Sequence, residues 1–364
     1  MPDNNRGAFI PLTSDEIVLS NDSVTSAMWS NNSPTLREYY TSSAQLASAA
    51  APYYISVFQT ASTDITAEIQ FDSVYCDAEG SGSKFLNPLV TGVSPTRTNY
   101  GQYRNLVLGD ENASFIFGNY SSSYFYVMNL ERARYKQNIL PGTWTLKLSG
   151  STGAANDKLI LTDDSIINNV AQFSDAGRYY NIISGSAGVV ASGYAGSNQA
   201  DGWTPGSGSY GWILPDVNLL ILNGEALDGA IVDGGIALNT SRASDTYNQS
   251  QGGNNGLLIN ALNRAGLDTV APTGFTLNSQ ENLSSDFIFC RAKNSEFNYS
   301  SNPSFISSST GAIVFDSFVE NPTTYITTVG LYSKTNELVA TAKLSRPLEK
   351  DFTKELLVRV KLDF

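Results

Sequence analysis

The sequence of 364 residues contains no histidine. Histidine is the side chain whose ordinary pKa lies nearest neutrality, and it is the commonest metal ligand. Its absence excludes Ser-His-Asp triads, Cys-His pairs and His-containing zinc sites. Carboxylates, lysine and tyrosine remain for any chemistry. Cysteine is almost as scarce. Cys76 and Cys290 stand far apart and read as two free thiols rather than a disulfide framework, which suits synthesis in a reducing cytoplasm. Charged residues make up only 15%, against about 25% in an average domain. No apolar run is long enough to span a membrane. The first twelve residues have neither a basic segment nor an apolar stretch, so no signal peptide is expected.

What replaces the missing charge is Ser, Thr, Asn and Gly, together with 11% aromatics. That composition suits strands joined by tight turns and polar, wet protein contacts, and the aromatics argue against disorder. The net charge of −12 argues against nucleic-acid binding, which calls for a basic patch. Arg132, Arg134 and Lys136 alternate and would share one face of a strand. The length suggests two or three domains.

Residues 1–33 read as an arm with two short apolar patches, Phe9, Ile10, Pro11 and Leu12, then Ile17, Val18 and Leu19. The arm either docks on its own domain or reaches a neighbouring subunit. A helix is expected over 34–50, with Ser33 as cap, Pro34 at its first position and Leu36, Tyr40 and Ala44 on one face. From 53 to 150 the hydrophobic period becomes two. Ile65, Ala67, Ile69 and Phe71 alternate with polar residues, as do Trp144, Leu146 and Leu148, giving one buried and one solvated face. Strands are also expected over 124–130, 158–162, 178–184 and 212–222, with Asn223 and Gly224 as a turn. Gly-rich loops over 184–211 and 249–256 are long enough to suggest interfaces. A second helix is expected over 256–265, stopped by Gly266. Three strands close the chain at 323–332, 337–345 and 355–364. The fold class expected is mainly β, with antiparallel sandwich-like domains, two short helices and an extended N-terminal arm. Its divisions are 1–50, 51–150, 151–269 and 270–364.

Gly206, Gly208 and Gly211 match G-x-G-x-x-G, but Pro215 prevents the helix that a dinucleotide site needs, so the match reads as coincidence. Asp163 and Asp164, Asp110 and Glu111, and Glu79 are the candidates for a carboxylate pair. None has a recognisable spacing, and a role in turns is the simpler reading. No calcium-loop pattern occurs. Catalytic, cofactor and metal residues are therefore not expected. The tyrosine pairs Tyr39–Tyr40, Tyr53–Tyr54 and Tyr179–Tyr180 suit packing and interfaces, with sugar stacking as the other reading.

Several stretches together resemble virion structural proteins of large contractile-tailed phages, including those infecting marine cyanobacteria. They are Tyr103–Leu106, Arg132–Tyr135 with Pro141–Trp144, Gly208–Gly211 leading to Leu214–Asp216, Arg291–Asn294 through Phe297–Ser300, Asn302–Pro303, Tyr325–Tyr332 and Ala342–Ser345. The resemblance implies a tail or baseplate component in the virion, made in the host cytoplasm. A collar or tail-tube position and a carbohydrate-binding receptor-recognition role stand as alternatives. Other virion proteins and copies of the same chain are the implied partners, with no nucleic acid, no membrane and no cofactor. A host-surface glycan belongs to the second alternative. The interface candidates are Phe9, Ile10, Pro11, Leu12, Ile17, Val18, Leu19, Tyr210 and Trp212.

Overall fold

The computed structural model describes residues 9–42, 53–82, 94–118, 120–150, 158–167, 170–190, 209–230, 234–239, 254–266 and 274–363. Among the described residues the protein is mainly β, 46% strand against 15% helix, and its sheets are antiparallel, within the sandwich-like β class expected. The chain divides into two compact units. Val24–Glu281 forms the larger, and Met1–Ser23 joins Asn282–Phe364 in the smaller.

In chain order the strands are β1 (Ile17–Ala27), β2 (Thr35–Leu36), β3 (Tyr40–Ser42), β4 (Tyr54–Phe58), β5 (Ile69–Asp77), β6 (Phe115–Phe117) and β7 (Tyr120–Ser122). Next come β8 (Tyr124–Leu130), β9 (Asn138–Ile139), β10 (Leu146–Ser149), β11 (Lys158–Asp163), β12 (Gln172–Ser174), β13 (Gly177–Ser186) and β14 (Val189–Val190). The last are β15 (Gly211–Leu214), β16 (Leu219–Asn223), β17 (Phe275–Thr276), β18 (Asn278–Ala292), β19 (Thr324–Tyr332), β20 (Leu338–Lys350) and β21 (Leu356–Asp363). The α-helices are α1 (Thr96–Leu108), α2 (Gly224–Asp228), α3 (Asn254–Gly266) and α4 (Asp316–Glu320).

The larger unit is built on one sheet in the order β10-β11-β13-β15-β16-β8-β5-β4-β3. Its central strands are apolar on both faces. In β8, Tyr124, Tyr126 and Met128 join one core while Phe125 and Val127 join another. In β16, Leu220 and Leu222 face the first core, and Leu219 and Ile221 the second. A strand with two apolar faces reads as a continuous run and needs cover on both sides. On the first side α3 packs on β5 and β10, burying Leu258, Ile259, Ala261 and Leu262. On the second, α1 lies on β5, and Tyr100 meets Phe115 and Phe125 at centroid distances of 5.8 and 5.1 Å. Phe117 of the β6–β7 hairpin closes edge-on against Trp212.

Polar links fix these layers. Trp29 is buried, and its indole N–H donates to the carbonyls of Phe275 at 3.0 Å and Pro34 at 3.2 Å. Asn255 at the start of α3 donates to the Ser73 carbonyl and accepts from the Ser73 hydroxyl on β5. Asn223 ends β16 and caps α2, accepting from the Glu225 N–H at 3.2 Å.

Several expectations are corrected. Where the chain is described, no helix forms over 34–50. Thr35–Leu36 pairs with Phe275–Thr276, and Tyr40–Ser42 pairs with β4, because the Trp29 bonds and the tertiary pairing override the local signal. Residues 43–50 lie outside the described residues. Ile65 sits in a turn, fully exposed, and strand begins only at Ile69. β10 has no water face: all four of its residues are buried, Lys147 included. Arg132 and Arg134 lie in a 3-10 turn rather than a strand. Arg132 stacks on Tyr135 and Arg134 pairs with Glu68. Asn223 and Gly224 begin a helix rather than a hairpin turn. The helix α1 was not anticipated, whereas α3 falls where expected. Among the described residues no helix is long and apolar enough to cross a membrane.

Gly211 has φ of +139°, and a Cβ there would collide with the Ile221 carbonyl of the paired strand. This glycine therefore serves strand pairing, and Gly206 and Gly208 lie outside the described residues. Gly211→Ala should lower unfolding free energy by about 3 kcal/mol, and Trp29→Ala by about 3–5 kcal/mol. Denaturant titration of each variant checks both values. A change below about 1 kcal/mol, the middle of the ordinary range for point substitutions, would contradict the packing described.

Candidate assembly surface

The smaller unit distributes its apolar residues in the opposite way. Strand order is β1-β18-β21, with β18 contributing its C-terminal part, and β19 and β20 form a separate two-stranded ribbon. Strands β18 and β21 pair from Ser285–Asp363 to Ala292–Leu356. Along β21 the period of two expected from sequence holds. Leu356, Val358, Val360 and Leu362 point to the shielded side, and Leu357, Arg359, Lys361 and Asp363 to solvent. Phe364 lies outside the described residues. Yet among the described residues of this unit only Ile288, Ala292, Phe305 and Val360 are buried apolar residues. Leu19, Tyr299, Val319, Tyr325, Val339 and Leu357 are among the exposed ones. So small a core offsets little of the conformational entropy lost on ordering the unit.

The arm meets this unit. Thr13 donates its backbone N–H (2.9 Å) and its hydroxyl (3.2 Å) to the Glu16 carboxylate, and a 3-10 turn at Ser14–Glu16 leads into β1. Before the turn, Phe9, Ile10, Pro11 and Leu12 line a cavity of about 920 Å³. Its other walls are the shielded face of β18 and β21 and the successive residues Tyr325–Tyr332 of β19. Phe9 packs edge-on against Tyr332 at 4.9 Å. Within this single chain the arm lies loosely on its own unit. Phe9, Ile10 and Leu12 remain 36, 40 and 39% exposed. Ile17, Val18 and Leu19 on β1 are exposed as well.

Polar anchors, more than apolar packing, fix the base of the ribbon. Lys350 is completely buried, and its ammonium donates to Asn298 Oδ1 at 2.7 Å and to the carbonyls of Asp351 at 2.9 Å and Asn294 at 3.0 Å. Asn298 in turn donates to the Asn294 carbonyl at 2.7 Å, and the Thr324 hydroxyl donates to the Phe297 carbonyl. The loop 294–298 is thus fastened to both strands of the ribbon. The Thr353 hydroxyl and N–H, with Lys354 alongside, hold the Asp351 carboxyl down to about 2. Sequence alone hides this role, because Glu349, Lys350 and Asp351 read as a solvated charge run.

The remaining candidates fall elsewhere. Tyr210 and Trp212 are 1% and 6% exposed, so they are packing residues of the larger unit rather than contact surface. Tyr179 packs tilted against Trp212 at 4.6 Å and belongs to the second core. Asp163 and Asp164 are both buried and engaged. Asp163 accepts from the N–H of Gly142 (2.7 Å) and Ser165 (2.9 Å), and Asp164 from the N–H (2.9 Å) and side chain (3.1 Å) of Asn181. Asp110 accepts from the Asn112 N–H in an exposed turn. Cys76 is buried and Cys290 half-buried, both as free thiols. Burial, with Asp77 and Glu16 nearby respectively, raises both above the ordinary thiol value. Among the described residues no three acidic or cysteine side chains converge as a metal site.

Replacing Lys350 by Met removes the donor of Asn298 Oδ1 and of the Asp351 carbonyl and one of the two donors of the Asn294 carbonyl, and should cost about 3 kcal/mol. The readout is the denaturant midpoint, together with faster amide exchange over 294–298. Asp351 has a folded pKa below its ordinary 3.8, so its stabilisation is complete above that value and fades as the pH falls towards about 2. The melting temperatures of wild type and Asp351→Asn should therefore converge across that window and differ most at neutral pH.

Compared with protein-family models, with curated proteins and with solved structures, the chain shows no match in any of the three.

Proposed function

We propose that the chain is a structural subunit of a contractile phage tail, a baseplate component that works by packing against its neighbours. The observation that carries this reading is the inverted apolar distribution of the smaller unit. Among its described residues it has four buried apolar residues, an apolar arm left partly exposed and many exposed Leu, Val, Phe and Tyr side chains. Large exposed apolar surface marks an interaction site, and a virion part meets its partners once and permanently. The larger unit has the opposite character, a sheet covered on both faces, and acts as the rigid body that sets geometry. Low charge with abundant Asn, Ser, Thr and Tyr suits hydrogen-bonded, partly wet contacts. The strings that resemble tail proteins lie in both units, and Tyr325–Tyr332 among them is strand β19 itself.

Quantitative mass spectrometry of purified phage particles tests the proposal. The chain should be present at a fixed copy number relative to the other tail proteins, and should stay with the tail when heads are removed. Its absence from particles that contain those proteins defeats the reading.

A further inference from the structure

We propose that β19 is a joint between two copies of this chain, its free edge pairing antiparallel with β19 of a second copy. The proposal rests on the assembly reading above and names the partner for one of its surfaces. Among the described residues β19 pairs with β20 alone, so about half of its backbone N–H and C=O groups point away from any partner.

Natural proteins protect such edges with charge, proline, bulges or cover. In the smaller unit the other strands carry this protection. β20 has Lys343, Arg346 and Pro347. It also bulges, since Thr327 alone spans the interval that residues 344–347 occupy opposite. β21 has Arg359, Lys361 and Asp363, and β1 has Asp22. The nine residues of β19 include no charge and no proline, and are rich in Thr, Tyr, Ile, Val and Leu. Such a strand is built to be covered.

A cavity runs along this strand. The cavity of about 920 Å³ is lined by Tyr325–Tyr332 in unbroken succession, so it follows the length of the strand, about 30 Å. The rest of its lining includes the apolar Ile288, Ala292, Leu356 and Val358 and the charged Glu16, Arg291 and Lys334. The arm residues Phe9–Leu12 line only part of it and form no strand there.

The occupant follows from composition. An added strand must itself have a free, uncharged edge of similar length, and β19 meets that requirement. Antiparallel self-pairing brings no like charges together in any register. A two-fold axis at Thr328 would set Tyr325 beside Leu331 and Thr327 beside Val329, an aromatic–aliphatic and a β-branched pair. The contact is self-complementary and closes on itself.

Sedimentation of the purified full chain over a range of concentrations, with amide hydrogen exchange of Thr324–Tyr332, provides the test. Wild type should associate, and the β19 amides should exchange more slowly as concentration rises. Thr327→Lys, on an exposed residue with no partner in β20, should weaken association about tenfold or more. Thr341→Lys, on β20, should leave it unchanged. If Thr327→Lys fails to fold by circular dichroism, the concentration dependence of wild-type exchange decides alone. A wild type that is monomeric at every concentration, or an oligomer in which β19 exchange does not respond to concentration or to Thr327→Lys, overturns the proposal. A monomeric chain that is nevertheless found in particles overturns this inference and leaves the assembly reading standing. A β19-paired oligomer absent from particles does the reverse.

Discussion

Burial of both faces of one antiparallel sheet is the constraint on which the larger unit depends. Strands β8 and β16 are apolar on every side chain but one or two, so neither face tolerates water. Each face therefore needs its own cover, and the chain provides α3 on one and α1 with the β6–β7 hairpin on the other. The hydrogen bonds of Trp29, Asn223 and Asn255 then fix where the covering pieces sit. A buried donor left without its acceptor costs more than a mispacked methyl group.

The strands were largely legible in sequence because a period of two is a local property. Tyr124–Leu130 and the three C-terminal strands fall close to where alternation or apolar runs place them. What local pattern misjudged was the environment. Trp144, Leu146 and Leu148 alternate with Thr and Lys, yet the polar side is covered too, and Lys147 is buried. The helix expected over 34–50 rested on Pro34 and a three-residue stripe. Pairing of Thr35–Leu36 with a strand 240 residues later outweighs both, and no local signal reports it. The helix α1 has a thin apolar stripe, Tyr100 and Val107, within a polar sequence. Its clearest signals were punctuation, Pro95 before it and Gly109, with φ of +65°, after it.

The candidate surface was legible only in part. The two apolar patches of the arm stand out because they sit in polar surroundings, and the structure places them on or beside the smaller unit's sheet. Tyr210 and Trp212 carry the same residue types but lie inside, since aromatic identity does not distinguish a core from a contact. The Lys350 anchor was invisible, because two of its three acceptors come from a loop more than fifty positions away.

The order of the two units along the chain has a temporal consequence. The larger unit occupies a continuous stretch, whereas the smaller needs both the first residues and the last eighty or so. A ribosome delivering the chain from its N-terminus completes every strand of the main sheet before β19 or β21 has left the exit tunnel. Within the smaller unit, β19–β21 thus emerge after the main sheet is complete, whereas the arm and β1 emerge before it and must wait for the strands they meet.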